Sequence, residues 1–186
     1  MRVSREQFLE NREKILEAAA RLFRERGFDE VGVAEVMQAA GLTHGGFYGH
    51  FKSKDDLIAQ ATGGCAQSFV EQWNGIVEAE GPKALRAIAR RYLGEAHLKG
   101  PGSGCQIAAL GPEIARRGLH DRTGVTAGVK RLLEVLERAA PGKTTAERRK
   151  RALQAYASWV GAVVLARISD DEAFSREVRE AVAEEA

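Results

Sequence analysis

Cysteine is scarce in this chain: Cys65 and Cys105 are the only two among 186 residues. Two thiols cannot build a disulfide framework, so reduced side chains in a cytosol are expected. Long apolar runs are missing as well. None approaches the ~20 residues of a membrane span, and the opening Met1-Arg2-Val3-Ser4-Arg5-Glu6 lacks the apolar stretch of a signal peptide. Strand-like alternation, internal repeats and low-complexity tracts are absent too, which leaves a helical, globular, cytoplasmic protein as the expectation. The four histidines are scattered, with His44 and His50 on nearly opposite sides of one helix, so no metal-ligand or cofactor pattern emerges. Charge of one sign is also lacking. The whole chain carries +2, and from Met1 to Asp56 nine Lys or Arg face ten Asp or Glu, a balance of −1. A strongly basic nucleic-acid binder is thereby excluded, although a locally positive edge is not.

That edge exists. No Asp or Glu occurs from Val36 to Lys54. Within this stretch, Gly41 can end a short helix, and Thr43 can cap the next by accepting from a backbone N–H. Gly45, Gly46 and Gly49 keep the new helix thin on its outer side, at roughly 0.5–1 kcal/mol each relative to Ala. Phe47 and Phe51, four apart, share a face and can anchor the helix. Upstream, Ile15, Ala18, Ala19, Leu22 and Phe23 form one apolar face at helical period, with Ser4 and Gln7 as a capping pair and Gly27 as a stop. Val33, Val36 and Met37 make a short second helix. The pattern is a helix-turn-helix unit. A tight glycine-rich turn in any all-α protein is the plainer alternative.

The arrangement resembles the TetR family of bacterial transcriptional repressors. Carrying the resemblance are Ile15-Leu16-Glu17-Ala18-Ala19, Leu22-Phe23, Gly27-Phe28, Val36, Ala40-Gly41-Leu42-Thr43, Gly46-Phe47-Tyr48-Gly49-His50-Phe51 and Lys52-Ser53-Lys54-Asp55-Asp56-Leu57. The chain departs from the pattern at Val31-Gly32-Val33, where the family has Ser or Thr, and at Ala34. Backbone N–H groups are then the phosphate donors expected at that helix start. On this reading residues 1–52 form a DNA-binding domain and 53–186 a ligand-binding and dimerisation domain. Thr43, His44, Gly45 and Gly46 are expected to face bases, and Tyr48, His50, Lys52 and Lys54 to meet phosphates. The resemblance implies a homodimer on double-stranded operator DNA, released by a small effector, with no catalytic activity.

Beyond the head, apolar periodicity predicts further helices, nine in all. Ser53 with Asp56, Thr144 with Glu147 and Ser169 with Glu172 are expected to cap three of them. Gly63-Gly64 marks a bend or close crossing. Phe69, Trp73, Tyr92, His97 and Cys105 are candidate walls for an apolar or electrophilic effector. Cys105, near a helix start, can act as a reactive thiol or as a small buried hydrophobe. His97 and His120 can lie near it, and an all-α enzyme using Cys105 is one alternative function. A helical protein-interaction module without DNA binding is another. The helix from Thr144 to about Ile168 is apolar on most sides. Tyr156, Trp159, Val160 and Val163, with Phe174 and Val178 after it, are therefore expected to meet a second copy.

Overall fold

The computed structural model describes residues 4–185, side chains 119–121 excepted, and places them in helices with no strand. Helix α1 (Arg5–Arg26) starts where Ser4 Oγ accepts from the Gln7 N–H at 3.1 Å. It buries Ile15, Ala18, Ala19, Leu22 and Phe23, the face read from the sequence. Helix α2 (Val33–Ala39) buries Val36 and Met37 and ends at Gly41. Gly41 has φ +72°, in the left-handed region that glycine enters without strain. A single 3₁₀ turn (His44–Gly46) then leads into the four-residue α3 (Phe47–His50).

The rest of the chain is α4 (Lys54–Gly64), α5 (Ala66–Glu80), α6 (Ala84–Tyr92), α7 (Glu95–Lys99), α8 (Gln106–Arg116), α9 (Leu119–Ala139), α10 (Thr145–Ile168) and α11 (Glu172–Glu184). The nine helices expected correspond to eleven segments among the described residues. One expected helix is broken at Cys65 into α4 and α5, and the one-turn α7 precedes the glycine-rich loop. Pro112 lies inside α8, where one missing N–H is tolerated within eleven residues. The Ser53 cap and the Thr144–Glu147 capping box form as expected. At α11 the cap is Asp171, whose carboxylate accepts from Ala173 and Phe174, while Ser169 Oγ accepts from the Asp171 N–H.

Two apolar clusters hold the fold. One gathers Ile15, Phe23, Phe28, Val36, Met37, Phe47 and Phe51 of the head with Leu57, Ile58 and Ala61 of α4, Leu110 and Ile114 of α8, and Val125 of α9. The other joins α5, α6, α8, α9 and α10 around Trp73, Tyr92, Leu136 and Trp159. The head therefore has no core of its own that closes at residue 52. Where α4 crosses α9 the backbones nearly touch: a Cβ built on Gly124 would lie 3.0 Å from Gly63 Cα, and one on Gly128 2.8 Å from Ala66 Cβ. The close crossing expected at Gly63-Gly64 is thus explained by a glycine on the opposing helix. No helix among the described residues is long and apolar enough to cross a membrane.

Candidate functional site

Phe47 and Phe51 are both fully buried and stack with ring centroids 5.7 Å apart, pinning α3 to the head. Arg12 of α1 strengthens the anchor. Its guanidinium lies over the Phe51 ring at 4.5 Å and donates to the His50 carbonyl and to Gln60. With that side held, the opposite side is presented to solvent. Thr43, His44, Gly45, Gly46 and Gly49 are exposed, Tyr48 is 73% exposed, and a Cβ on Gly45 or Gly49 would meet nothing within 4 Å.

Three expectations for this face are corrected. The Thr43 hydroxyl makes no cap bond, because the segment begins as a 3₁₀ turn closed by the Gly46 N–H to the Thr43 carbonyl. The His50 ring does not project freely. It stacks on Phe8 at 4.3 Å with a buried, unpartnered Nδ1, and burial, then Arg12, hold its pKa below the ordinary value. A neutral imidazole, not a cation, is what the face offers there. Lys54 is half-buried and its ammonium donates to the Asp29 carbonyl at 3.4 Å, whereas Lys52 is exposed. The Lys52 N–H donates to the Asp56 carboxylate, which keeps that acid below its usual range.

In the body, Phe69, Trp73, Tyr92 and Cys105 do share one cleft, joined by Cys65, Gln106 and Tyr156. Its open volume is about 20 Å³, space for about one water. Cys105 is 5% exposed and its Sγ lies 3.4 Å from the Tyr156 hydroxyl. Burial, then the neighbouring thiol, push both the Tyr92 and Tyr156 phenols well up. His97 lines an adjoining cleft of about 240 Å³ with Phe69, Trp73 and Tyr92. Its Nδ1–H donates to the Tyr92 carbonyl at 2.5 Å, and Nε2 accepts the Cys105 N–H at 2.8 Å, which fixes a neutral tautomer. With Nε2 taken by backbone, the thiol–imidazole pair of the enzyme alternative does not form. The His120 side chain lies outside the described residues.

Sequence reasoning missed Arg24. From the end of α1 it donates to the Gly102 carbonyl and, at 3.0 Å, to Cys65 Sγ. Burial raises the Cys65 thiol, with the guanidinium opposing. Beside it, Glu113 of α8 accepts the Phe28 N–H at 2.8 Å. These two contacts tie the head to the cleft walls. Only the basic last turn of α1 hinted at them, since their partners lie 78 and 85 residues away.

On α10, Tyr156, Trp159 and Val163 are buried within the chain's own bundle, Trp159 to 1% exposure. They are not free for a second copy, which corrects the expected interface. Val160 and Val178 are half-buried and Phe174 is exposed. The uncovered apolar stripe is Leu153, Ala157, Val164, Leu165 and Ile168, passing over Gly161 at helical spacing.

Residues 15–61 match the sequence profile described as bacterial regulatory proteins, tetR family. Over that segment the chain is similar to the TetR family. Among the relatives matched, the HTH-type transcriptional regulator AcrR of Shigella flexneri is 39% identical over 59 residues, 32% of this chain and 27% of that protein. The first relatives matched are thus spanned over only about a quarter of their length. The HTH-type transcriptional repressor NemR of Escherichia coli matches more broadly, 25% identical over 86% of this chain and 85% of its own. The crystal structure of reduced E. coli NemR superposes with a TM-score of 0.76 at 22% identity, covering 92% of this chain and 94% of that one, a likeness of fold.

Proposed function

We propose that this chain is a ligand-responsive transcriptional repressor of the TetR family that binds a palindromic operator as a homodimer and is released by a small effector. The observation that carries the reading is the acid-free face from Thr43 to Lys54, exposed on one side and clamped on the other by Phe47, Phe51 and Arg12. Such a face meets the major groove edge-on, with Thr43, His44 and the bare backbone of Gly45 and Gly46 toward bases. Tyr48 and Lys52 flank it as phosphate donors. Two copies present two such faces to successive half-sites. The effector is a small apolar molecule seated in the cleft by Cys105. An electrophile reaching the thiol is a covalent version of the same event, and it requires the cleft to open first.

The test is retention of the chain's own upstream DNA in a gel shift across a salt series. Tyr48→Phe and Lys52→Ala should weaken operator and random DNA equally, and Lys52→Ala should lower the salt slope by about one. His44→Ala should reduce the preference for operator. An unmodified chain that retains no DNA at low salt would leave the interaction-module reading in its place.

A further inference from the structure

Among the described residues, two of the buried polar atoms left without a hydrogen-bond partner belong to walls of the cleft. Gln106, in the first turn of α8, is 7% exposed, and its Oε1 is buried with no hydrogen-bond partner. The Tyr92 hydroxyl facing the same space is likewise buried and unpartnered. Leaving such a group unpaired costs about 1–3 kcal/mol, so two in one apolar cleft is a standing demand for a ligand. The surrounding walls, Phe69 and Trp73 in edge-on contact at 5.9 Å, suit an aromatic ring. The cations near the cleft are already engaged, Arg24 by Cys65 Sγ and the Gly102 carbonyl and Arg167 by the His97 and Leu98 carbonyls. A charged ligand would therefore enter without a partner.

Resting on the effector-pocket reading above, we propose that the cleft binds a neutral single-ring aromatic carrying an O–H or N–H donor, of the phenol or aromatic-amide class. The donor goes to the Gln106 carboxamide, and the Tyr92 hydroxyl donates to the ligand's heteroatom. Because the empty cleft holds only about one water, a ring enters by pushing α8 away from α5. Cys105 and Gln106 move with it, and so does the 3₁₀ turn Pro101–Ser103, whose Gly102 carbonyl holds Arg24. Binding energy is thereby converted into displacement of α1, which is the differential affinity that release requires.

Phenol, toluene and benzoate serve as probes, titrated calorimetrically into the full chain near neutral pH. Phenol should bind at least tenfold tighter than toluene, because a site built to pair a hydroxyl disfavours the analogue without one, and benzoate should not bind. Gln106→Leu should bring phenol down to the level of toluene while melting no lower than the parent, since it removes an unpaired buried amide. Gln106→Met gives the same comparison with an unbranched side chain. Equal binding of phenol and toluene, a preference that survives both substitutions, or no saturable binding would each overturn the proposal. Operator release is measured in parallel. Gln106-dependent phenol binding with undisturbed operator affinity would uphold the site and sink the release reading instead.

Discussion

His97 shows how one residue read as a ligand wall can also be tied down for structure. Both ring nitrogens are used, its own carbonyl accepts Arg167 Nη2 at 2.7 Å, and the ring packs on Tyr92. Burial, then Arg167, hold its pKa below the ordinary value near 6.5. The folded state thus resists a proton that the unfolded chain accepts. This contribution is complete above about pH 6.5 and is lost as pH falls below it toward the folded value. Denaturant melts near pH 7.5 and pH 5.5 should show the parent losing more stability on acidification than His97→Gln. At the higher pH the variant should be weaker by about 1–3 kcal/mol, because a flexible amide does not hold the Tyr92 carbonyl and the Cys105 N–H together as the ring does. An equal acid loss in both proteins would remove His97 from the account. At this scale the sequence was a mixed guide. Phe47 and Phe51 were legible because their spacing and their burial share one cause. Whether His97 or Gln106 met the cleft was not, since that depends on which backbone N–H lay opposite.

Elements were better legible than their partners. Caps at Ser4, Ser53 and Thr144 are local chemistry, satisfied within three residues, and so follow from the chain directly. The α4–α9 crossing is different in kind. Gly63-Gly64 announced a close approach, but the element approaching, with Gly124 and Gly128, lies some sixty residues on. Gly124→Ala tests it. The added carbon meets backbone 3.0 Å away, and no rotamer change relieves such a contact. The cost should be about 1–3 kcal/mol in denaturant unfolding. Because α4 carries the head, operator affinity should fall as well. A Gly124→Ala protein that is as stable as the parent and binds operator equally would show that the crossing has slack.

For the molecule as a whole, α10 carries the exposed apolar face that the proposed assembly would use. The sequence marked it as apolar on most sides, but could not say which side the chain covers by itself. Folding takes Tyr156, Trp159 and Val163 inward and leaves Leu153, Val164, Leu165 and Ile168 out, Ile168 to 74% exposure. Substitution at the two sites should therefore separate. Leu165→Glu should give a folded monomer in sedimentation at micromolar concentration, with helicity intact, whereas Trp159→Glu should unfold the chain by burying an unpaired charge. A Leu165→Glu protein that remains dimeric would move the interface elsewhere. The shared core of the head has a consequence for protein engineering. Leu57, Ile58 and Ala61 of α4, with Leu110, Ile114 and Val125 beyond it, complete the packing around Phe23 and Val36. A chimera spliced after residue 52 would exchange six of the seventeen buried residues of this core for foreign ones, like a key cut across its teeth. A transplantable reading head for this chain carries α4 with it, and its new host must supply small and branched side chains where α8 and α9 now stand.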